Sequence, residues 1–163
     1  MNEPTIPPEE TTHYRPLKIS SPAFAHEEMI PVKFTCDGEN IIPALNIDLI
    51  PKDARSFVLI VDDPDAPDGT FVHYLAWNIP IRDHLRENEV YGIEGRNDFK
   101  QNQYGGPCPP SGTHRYFFKV YALDYLLTMP PSTNKEQLLE AMKEYIIAYG
   151  ELIGLYGRDN RTF

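Results

Sequence analysis

The stretch Phe57-Val58-Leu59-Ile60-Val61, followed at once by Asp62-Asp63, decides the fold of this chain. A continuous apolar run of this short length is typical of a β-strand that is buried on both faces. The two aspartates stand at the end of that strand, where rigid scaffolds often assemble binding sites. We therefore predict a central strand over 57–61 that presents carboxylates at the rim of a sheet.

A second strand is predicted over Phe71–Ile79, after the turn-forming sequence Asp63-Pro64-Asp65-Ala66-Pro67. Side chains alternate between the two faces of a strand. Counting by twos from Phe71 places His73 on the same face as Leu75 and Trp77. We therefore expect His73 to lie on an apolar face.

A third strand is predicted over Tyr116–Leu123, with His114 at its entry. Alternation places His114 and Tyr116 on one face and Arg115 on the other. We therefore expect His114 and Tyr116 to point into the same cavity and Arg115 to point away from it.

The C-terminal third carries the signals of one helix. Residues 132–134 offer several N-caps, Thr133 and Glu136 have the spacing of a capping box, and Gly150 predicts a stop. The apolar residues at helical spacing are Leu138, Ala141, Met142, Tyr145, Tyr149 and Leu152. A short final strand is predicted over Leu152–Tyr156. Short strands, turn-rich links and one late helix favour a mainly β fold, a sandwich with peripheral helices.

Size and composition limit the class of protein. The chain has 163 residues, of which 41% are hydrophobic, which suits one domain with a sizeable core. Its net charge of −9 argues against a nucleic-acid partner. It has no run of 18 apolar residues, so we predict no membrane span. We expect a flexible Pro/Glu/Thr-rich tail over 1–14, followed by a single domain over 15–163 that is ordered from near Leu17. The tail does not have the pattern of a signal peptide, so we expect a cytoplasmic location.

Two cysteines, Cys36 and Cys108, lie far apart in the sequence. Two reduced, partly buried thiols are the preferred interpretation for a cytosolic protein. A disulfide or a redox switch between them is the alternative, because the sequence does not reveal their distance.

The residues between Gly105 and Gly112 form a Gly/Pro loop that leads into the third strand. Proline has no N–H group, but the glycine and Cys108 amides remain available to an anion. A protonated histidine and the Tyr116 hydroxyl would add donors, and Asp63 would orient one imidazole. These groups predict binding of a phosphate-type anion that tightens at mildly acidic pH.

Each of these features also has an ordinary structural explanation. A lone histidine on an apolar face is often a satisfied core residue, and aspartates beside prolines commonly bond their own turn. A calcium loop does not fit the spacing after Asp65, a metal hydrolase lacks a close-spaced ligand pair, and Ser111 lacks a nucleophile elbow. We therefore predict no catalytic residue, no metal and no cofactor.

Six sequence blocks together resemble the phosphatidylethanolamine-binding protein family, also called Raf kinase inhibitor-like proteins, in its short bacterial and archaeal form. The resemblance covers about residues 17–163. The blocks are Ser20-Ser21-Pro22-Ala23-Phe24, Phe34-Thr35-Cys36-Asp37-Gly38, Asp63-Pro64-Asp65-Ala66-Pro67, His73-Tyr74-Leu75-Ala76-Trp77-Asn78-Ile79-Pro80, the block from Gly105 to Tyr116, and Leu152-Ile153-Gly154-Leu155-Tyr156-Gly157-Arg158.

This resemblance implies two antiparallel sheets in a Greek-key β-sandwich with peripheral helices, and a small anion-binding pocket. The pocket would accept phosphate or a phosphoethanolamine head group. Phe71 stands where the eukaryotic members have a tryptophan, and the link from Pro110 to His114 is shorter than theirs. The implied ligand-binding residues are Asp63, Asp65, Ala66, His73, Pro110, His114 and Tyr116, with a backbone amide near Cys108.

The predicted function is therefore binding of a small anionic or phosphorylated ligand, with possible modulation of a kinase or another signalling partner. The alternative is a protease inhibitor that acts through a surface loop. Short members of the family also suggest a homodimer. Lys135 is taken as an exposed residue that does not contribute to binding.

Overall fold

The computed structural model describes residues 14–158, so residues 1–13 of the tail predicted over 1–14 and residues 159–163 of the domain predicted over 15–163 lie outside the described residues. No helix within residues 14–158 is long and apolar enough to cross a membrane. The strands are β1 (Arg15–Pro16), β2 (Lys18–Ser20), β3 (Glu28–Met29), β4 (Leu45–Asp48), β5 (Ser56–Asp63), β6 (Phe71–Ile79), β7 (His84–Leu85), β8 (Ile93–Glu94), β9 (Thr113–Leu123) and β10 (Ile146–Gly157); a 3₁₀ turn spans Val32–Phe34 and helix α1 spans Lys135–Met142.

The described residues form two sheets, which we call the large and the small sheet. The large sheet has seven strands in the order β1-β10-β9-β5-β6-β8, with β3 also paired to β10. The small sheet has three strands in the order β2-β4-β7. The prediction of a mainly β chain with two sheets is confirmed, and the Greek-key detail stays a prediction. The prediction of purely antiparallel sheets is wrong at one edge, because β1 and β3 pair parallel to β10.

Strand β5 is central, as its apolar run predicted, and all of its residues are buried. Alternate residues of the strand face two different partners. Phe57, Leu59 and Val61 belong to an inner core that includes Leu45 and Ile47 of the small sheet. The residues between them belong to an outer core beneath helix α1, and these are Val58 and Ile60 of β5 with Leu138 and Met142 of the helix. The large sheet is therefore covered on both faces.

Helix α1 is shorter than predicted, and the last strand is longer. The helix is capped by Asn134, whose side chain accepts from the amide of Gln137, rather than by Thr133 with Glu136. From Ile146 onward burial alternates with period two, because β10 pairs with β9 almost throughout its length. Tyr149 and Gly150 therefore lie in a strand. A side chain at Gly150 would place its Cβ 2.2 Å from the carbonyl oxygen of Leu17, so close approach of the backbone explains this glycine better than a helix stop.

A buried ion pair fastens the helix to the large sheet. The Lys135 ammonium donates to Asp62 at 2.7 Å, and Lys119 donates to the same carboxylate oxygen at 3.1 Å. The Lys135 side chain is only 6% exposed, so the prediction that Lys135 is an exposed residue is wrong. Its position in the first turn of α1 directs its charge onto the end of β5. The Asp62 side chain therefore lies on the face of the sheet that helix α1 covers, and the side chain of its neighbour Asp63 lies on the opposite face.

Candidate functional site

A cavity of about 300 Å³ opens where β5 ends, β6 begins and β9 begins. Its walls bring together the predicted site residues with the exception of Asp65. The lining residues are Asp63, Ala66, Pro67, Phe71, His73, Phe99, Cys108, Pro109, Pro110, His114 and Tyr116. Histidines, a tyrosine and a carboxylate thus share a cavity whose remaining walls are mostly apolar.

The central contact of the cavity is a buried pair of Asp63 and His114. The Nδ1–H group of His114 donates to the carboxylate of Asp63 at 2.7 Å. Both side chains are nearly enclosed, at 4% exposure for Asp63 and 10% for His114. Antiparallel pairing of β5 with β9 brings the end of one strand beside the start of the other, which explains why residues 51 positions apart meet. The carboxylate holds the ring in one orientation and leaves Nε2 as the nitrogen available to a ligand.

His73 reaches the cavity because strand β6 contains a β-bulge. Val61 pairs with Tyr74 whereas the next residue, Asp62, pairs with Val72, so His73 is the extra residue. Its ring lies 5.4 Å from the ring of Tyr116, between centroids. Leu75 and Trp77 instead lie in the outer core under helix α1. The prediction that His73 shares their face is therefore wrong, because a one-residue bulge exchanges the faces of a strand.

Nδ1 of the His73 ring is held by the backbone of the Gly/Pro loop. Its Nδ1–H group donates to the carbonyl oxygen of Gly105 at 2.7 Å. Burial lowers the pKa of His73, and the Gly105 hydrogen bond and the negative charge of Asp63 act more weakly in the opposite direction. The imidazole is therefore neutral near pH 7. This weakens His73 as a candidate for the protonated histidine that was predicted to donate to the anion.

The Tyr116 hydroxyl is buried, and it has no hydrogen-bond partner among the described residues. Burial raises its pKa, as does the negative charge of Asp63, while the backbone amide of Cys108 acts in the opposite direction. The group is therefore a neutral O–H that can both donate and accept. A buried polar group without a partner is uncommon in native proteins and marks a place where a water or ligand atom fits.

The Gly/Pro loop is held against the residues that follow the 3₁₀ turn. Cys36 and Cys108 form a disulfide across a sequence separation of 72, so the preferred interpretation of two reduced thiols is wrong. The Cys36 amide also donates to the carbonyl of Pro107 at 3.1 Å. The Gly106 amide donates to the side chain of Asn40 at 2.8 Å. These contacts fix the wall of the cavity that Cys108 and Pro110 form.

Asp65 is the predicted site residue that does not line the cavity. Its carboxylate accepts from the guanidinium and from the backbone amide of Arg115, each at 2.9 Å. The Arg115 side chain is half exposed and points away from the cavity, as predicted. The Arg115 guanidinium also lowers the pKa of Asp65. Asp65 therefore fastens the turn after β5 to the start of β9.

Phe99 is a cavity residue that sequence reasoning missed. Its ring lies 4.8 Å from Phe71 and 5.3 Å from His73, between centroids. The buried Asn97 shapes its loop, because the Asn97 side chain donates to the carbonyl of His73 and accepts from the amide of Phe99. The local sequence carried no signal for this placement, since it depends on contacts with β6.

Comparison with known proteins identifies the family. The family model for phosphatidylethanolamine-binding proteins matches residues 20–157, and the chain therefore belongs to that family. The UPF0098 protein of Pyrococcus abyssi is 47% identical over 153 residues, which are 87% of this chain and 85% of the relative. The UPF0098 protein of Methanothermobacter thermautotrophicus is 43% identical over 150 residues, which are 87% of this chain and 99% of the relative.

Two solved structures share the fold. A phosphatidylethanolamine-binding protein homologue from Chlamydia trachomatis superposes with a TM-score of 0.85 at 39% identity, over 89% of this chain and 99% of the homologue. The E. coli protein YBCL, described as a member of the mammalian family, superposes with a TM-score of 0.81 at 27% identity, over 87% and 98% of the two chains. The resemblance stated from the sequence blocks is thus confirmed.

Proposed function

We propose that the cavity binds a small phosphate-type anion, such as phosphate or a phosphoethanolamine head group, without chemical turnover. The observation that carries this proposal is the buried Asp63–His114 pair beside the unpartnered Tyr116 hydroxyl. Membership of a family named for phosphatidylethanolamine binding supports it.

The donors converge from two elements. Asp63 holds Nδ1 of His114, which leaves Nε2 as the ring nitrogen that can form a hydrogen bond to a charged ligand. The Tyr116 ring is stacked 6.4 Å from the His114 ring, between centroids, and the Cys108 backbone amide lies near the Tyr116 hydroxyl. Mostly apolar walls strengthen each of these hydrogen bonds, because little water competes for them.

Calorimetric titration with inorganic phosphate and with phosphoethanolamine tests the proposal. The His114→Ala variant should bind phosphate about tenfold more weakly or worse, since a charge-assisted hydrogen bond is lost. Lys52→Ala is the matched control, because Lys52 is exposed and does not line the cavity. Equal affinities of the wild type and His114→Ala would refute the role of His114. Release of inorganic phosphate from phosphoethanolamine would indicate an enzyme instead.

Further parts of the proposal concern partners and location. We propose modulation of a kinase or another signalling protein as the consequence of ligand binding, with protease inhibition through a surface loop as the alternative. Inhibition assays against a kinase panel and a protease panel distinguish these two. The homodimer stays a prediction, which sedimentation at high micromolar concentration tests. A cytoplasmic location also stays a prediction.

A further inference from the structure

The contact of His73 with Gly105 determines what its other nitrogen can do. A backbone carbonyl only accepts hydrogen bonds, so Nδ1 of His73 carries the hydrogen in the 2.7 Å contact. The side chain lines the cavity, and its contact with Gly105 is made through Nδ1 rather than Nε2. In a neutral imidazole with a protonated Nδ1, Nε2 is an acceptor. The cavity therefore presents a lone pair at this point, as well as the donors on the His114 side.

The surroundings of His73 keep it neutral. Its ring packs against Phe71, Phe99 and Tyr116, and this burial lowers its pKa. The charged groups that favour protonation are Asp63, which is already paired with His114, and Asp62, which is paired with two lysines on the other face of β5. Their combined effect on His73 is smaller than that of burial.

We propose that the cavity selects the singly protonated form of phosphate or of a phosphomonoester, whose P–OH group donates to Nε2 of His73. This inference rests on the proposed anion-binding function. A doubly charged phosphomonoester offers only acceptors and would place an oxygen lone pair against that of Nε2, whereas inorganic phosphate keeps a P–OH group in both of its forms near neutral pH. The singly protonated form offers one donor for His73 and leaves two oxygens as acceptors for His114 and Tyr116. Both forms exist near neutral pH, because the second pKa of a phosphomonoester is about 6.

The apolar walls define the remainder of the ligand. Phe71, Phe99 and Pro109 line the cavity, and they offer no hydrogen-bonding side chain to an ester substituent. The carbon atoms of an ester substituent would make apolar contacts on this side of the cavity. Asp65 and Arg115 satisfy each other outside the cavity and add no donor to it.

The dependence of affinity on pH does not test this inference. A complex with the proton on the phosphate and one with the proton on His73 contain the same number of protons, so both give the same pH dependence. Fluorophosphate does test it, since it resembles phosphate in shape but has no P–OH group at neutral pH. Titration of the wild type at pH 7 should show fluorophosphate binding about tenfold more weakly than inorganic phosphate, the effect of leaving one buried acceptor unpaired. Equal or tighter binding of fluorophosphate would overturn the inference.

Two further measurements locate the proton. His73→Gln places an amide that can donate, so this variant should lose the preference for phosphate over fluorophosphate; an undiminished preference in the folded variant would overturn the inference. Nitrogen NMR of the histidine-labelled wild type with phosphate should show an unprotonated, hydrogen-bonded Nε2 on His73, whereas an imidazolium there would overturn it. Failure of the wild type to bind inorganic phosphate at all would instead refute the proposed function on which the inference rests.

Discussion

Removing the disulfide between Cys36 and Cys108 should destabilise the chain strongly. The bond closes a loop with a sequence separation of 72. Loop-closure entropy for that length corresponds to about 4 kcal/mol of stability at 25 °C. For a domain of this size about 1 kcal/mol shifts the melting temperature by 2–4 °C, so the expected fall in melting temperature is about 8–16 °C. Serine replacements suit the test, because Cys36 is half-buried and Cys108 is exposed.

Scanning calorimetry on the variant with both Cys36→Ser and Cys108→Ser measures this effect. As a control, the melting temperatures of the wild type and of the variant are also measured in the presence of a phosphine reductant. Wild type should fall to the melting temperature of the variant, and the variant should not respond. Thiol titration of the wild type, before and after reduction, verifies that a bond was broken. A fall of less than about 2 °C after verified reduction would refute the loop-closure reasoning.

The same variant reports on the cavity. Cys108 lines it, and its amide lies beside the Tyr116 hydroxyl. Without the disulfide, the loop remains attached through the Cys36 amide bond to Pro107 and the Gly106 amide bond to Asn40. Phosphate affinity should therefore decrease while the fold persists. Unchanged affinity in the folded variant would mean that the hydrogen bonds alone position the loop.

Three other changes give separate tests. Lys135→Met should lower the free energy of unfolding, measured by urea titration, by about 3 kcal/mol, because it removes a buried partner of Asp62. The control is Lys52→Met at an exposed position, which should change this free energy by less than about 0.5 kcal/mol. Equal effects of the two substitutions would contradict the buried ion pair. Because burial lowers the pKa of His73, the unfolded chain binds more protons as pH falls below about 6.5, so stability should decrease there. His73→Gln should flatten that slope in denaturant titrations at successive pH values, and an unchanged slope would contradict a neutral His73. Gly106→Ala should lower the free energy of unfolding by about 2 kcal/mol and weaken phosphate binding, because the new Cβ would lie 2.3 Å from the carbonyl oxygen of Phe34. A variant with the melting temperature and the phosphate affinity of the wild type would refute this.

The long strands could be predicted because their signals are local. The apolar run over 57–61 lies within β5, and the predicted strand over Phe71–Ile79 coincides with β6. The two-residue strands β1 and β3 could not be predicted, since they exist only as partners of β10. The predicted length of helix α1 was wrong for a similar reason. Apolar residues continue at helical spacing past Met142, but from Ile146 onward the chain pairs with β9 and forms a strand instead.

Most of the candidate site could be predicted, but through the resemblance more than through periodicity. The six sequence blocks identified Asp63, His73, His114 and Tyr116 together, and all of them line one cavity. Distances between side chains could not be predicted. The disulfide requires Cys36 and Cys108 to meet, and the burial of Lys135 requires helix α1 to lie on the end of β5.

The bulge in β6 shows how a single residue determines the chemistry of the cavity. With regular pairing, His73 would share a face with Leu75 and Trp77 and would lie under helix α1 with the outer core. The extra residue turns the ring toward Tyr116 instead, and the strand then resumes its alternation with Tyr74 facing the inner core. The same turn brings Nδ1 to the carbonyl of Gly105, which makes Nε2 an acceptor. Because the backbone supplies both the position of the ring and its tautomer, substitutions elsewhere in the cavity wall should leave the hydrogen-bonding role of His73 unchanged as long as the bulge persists.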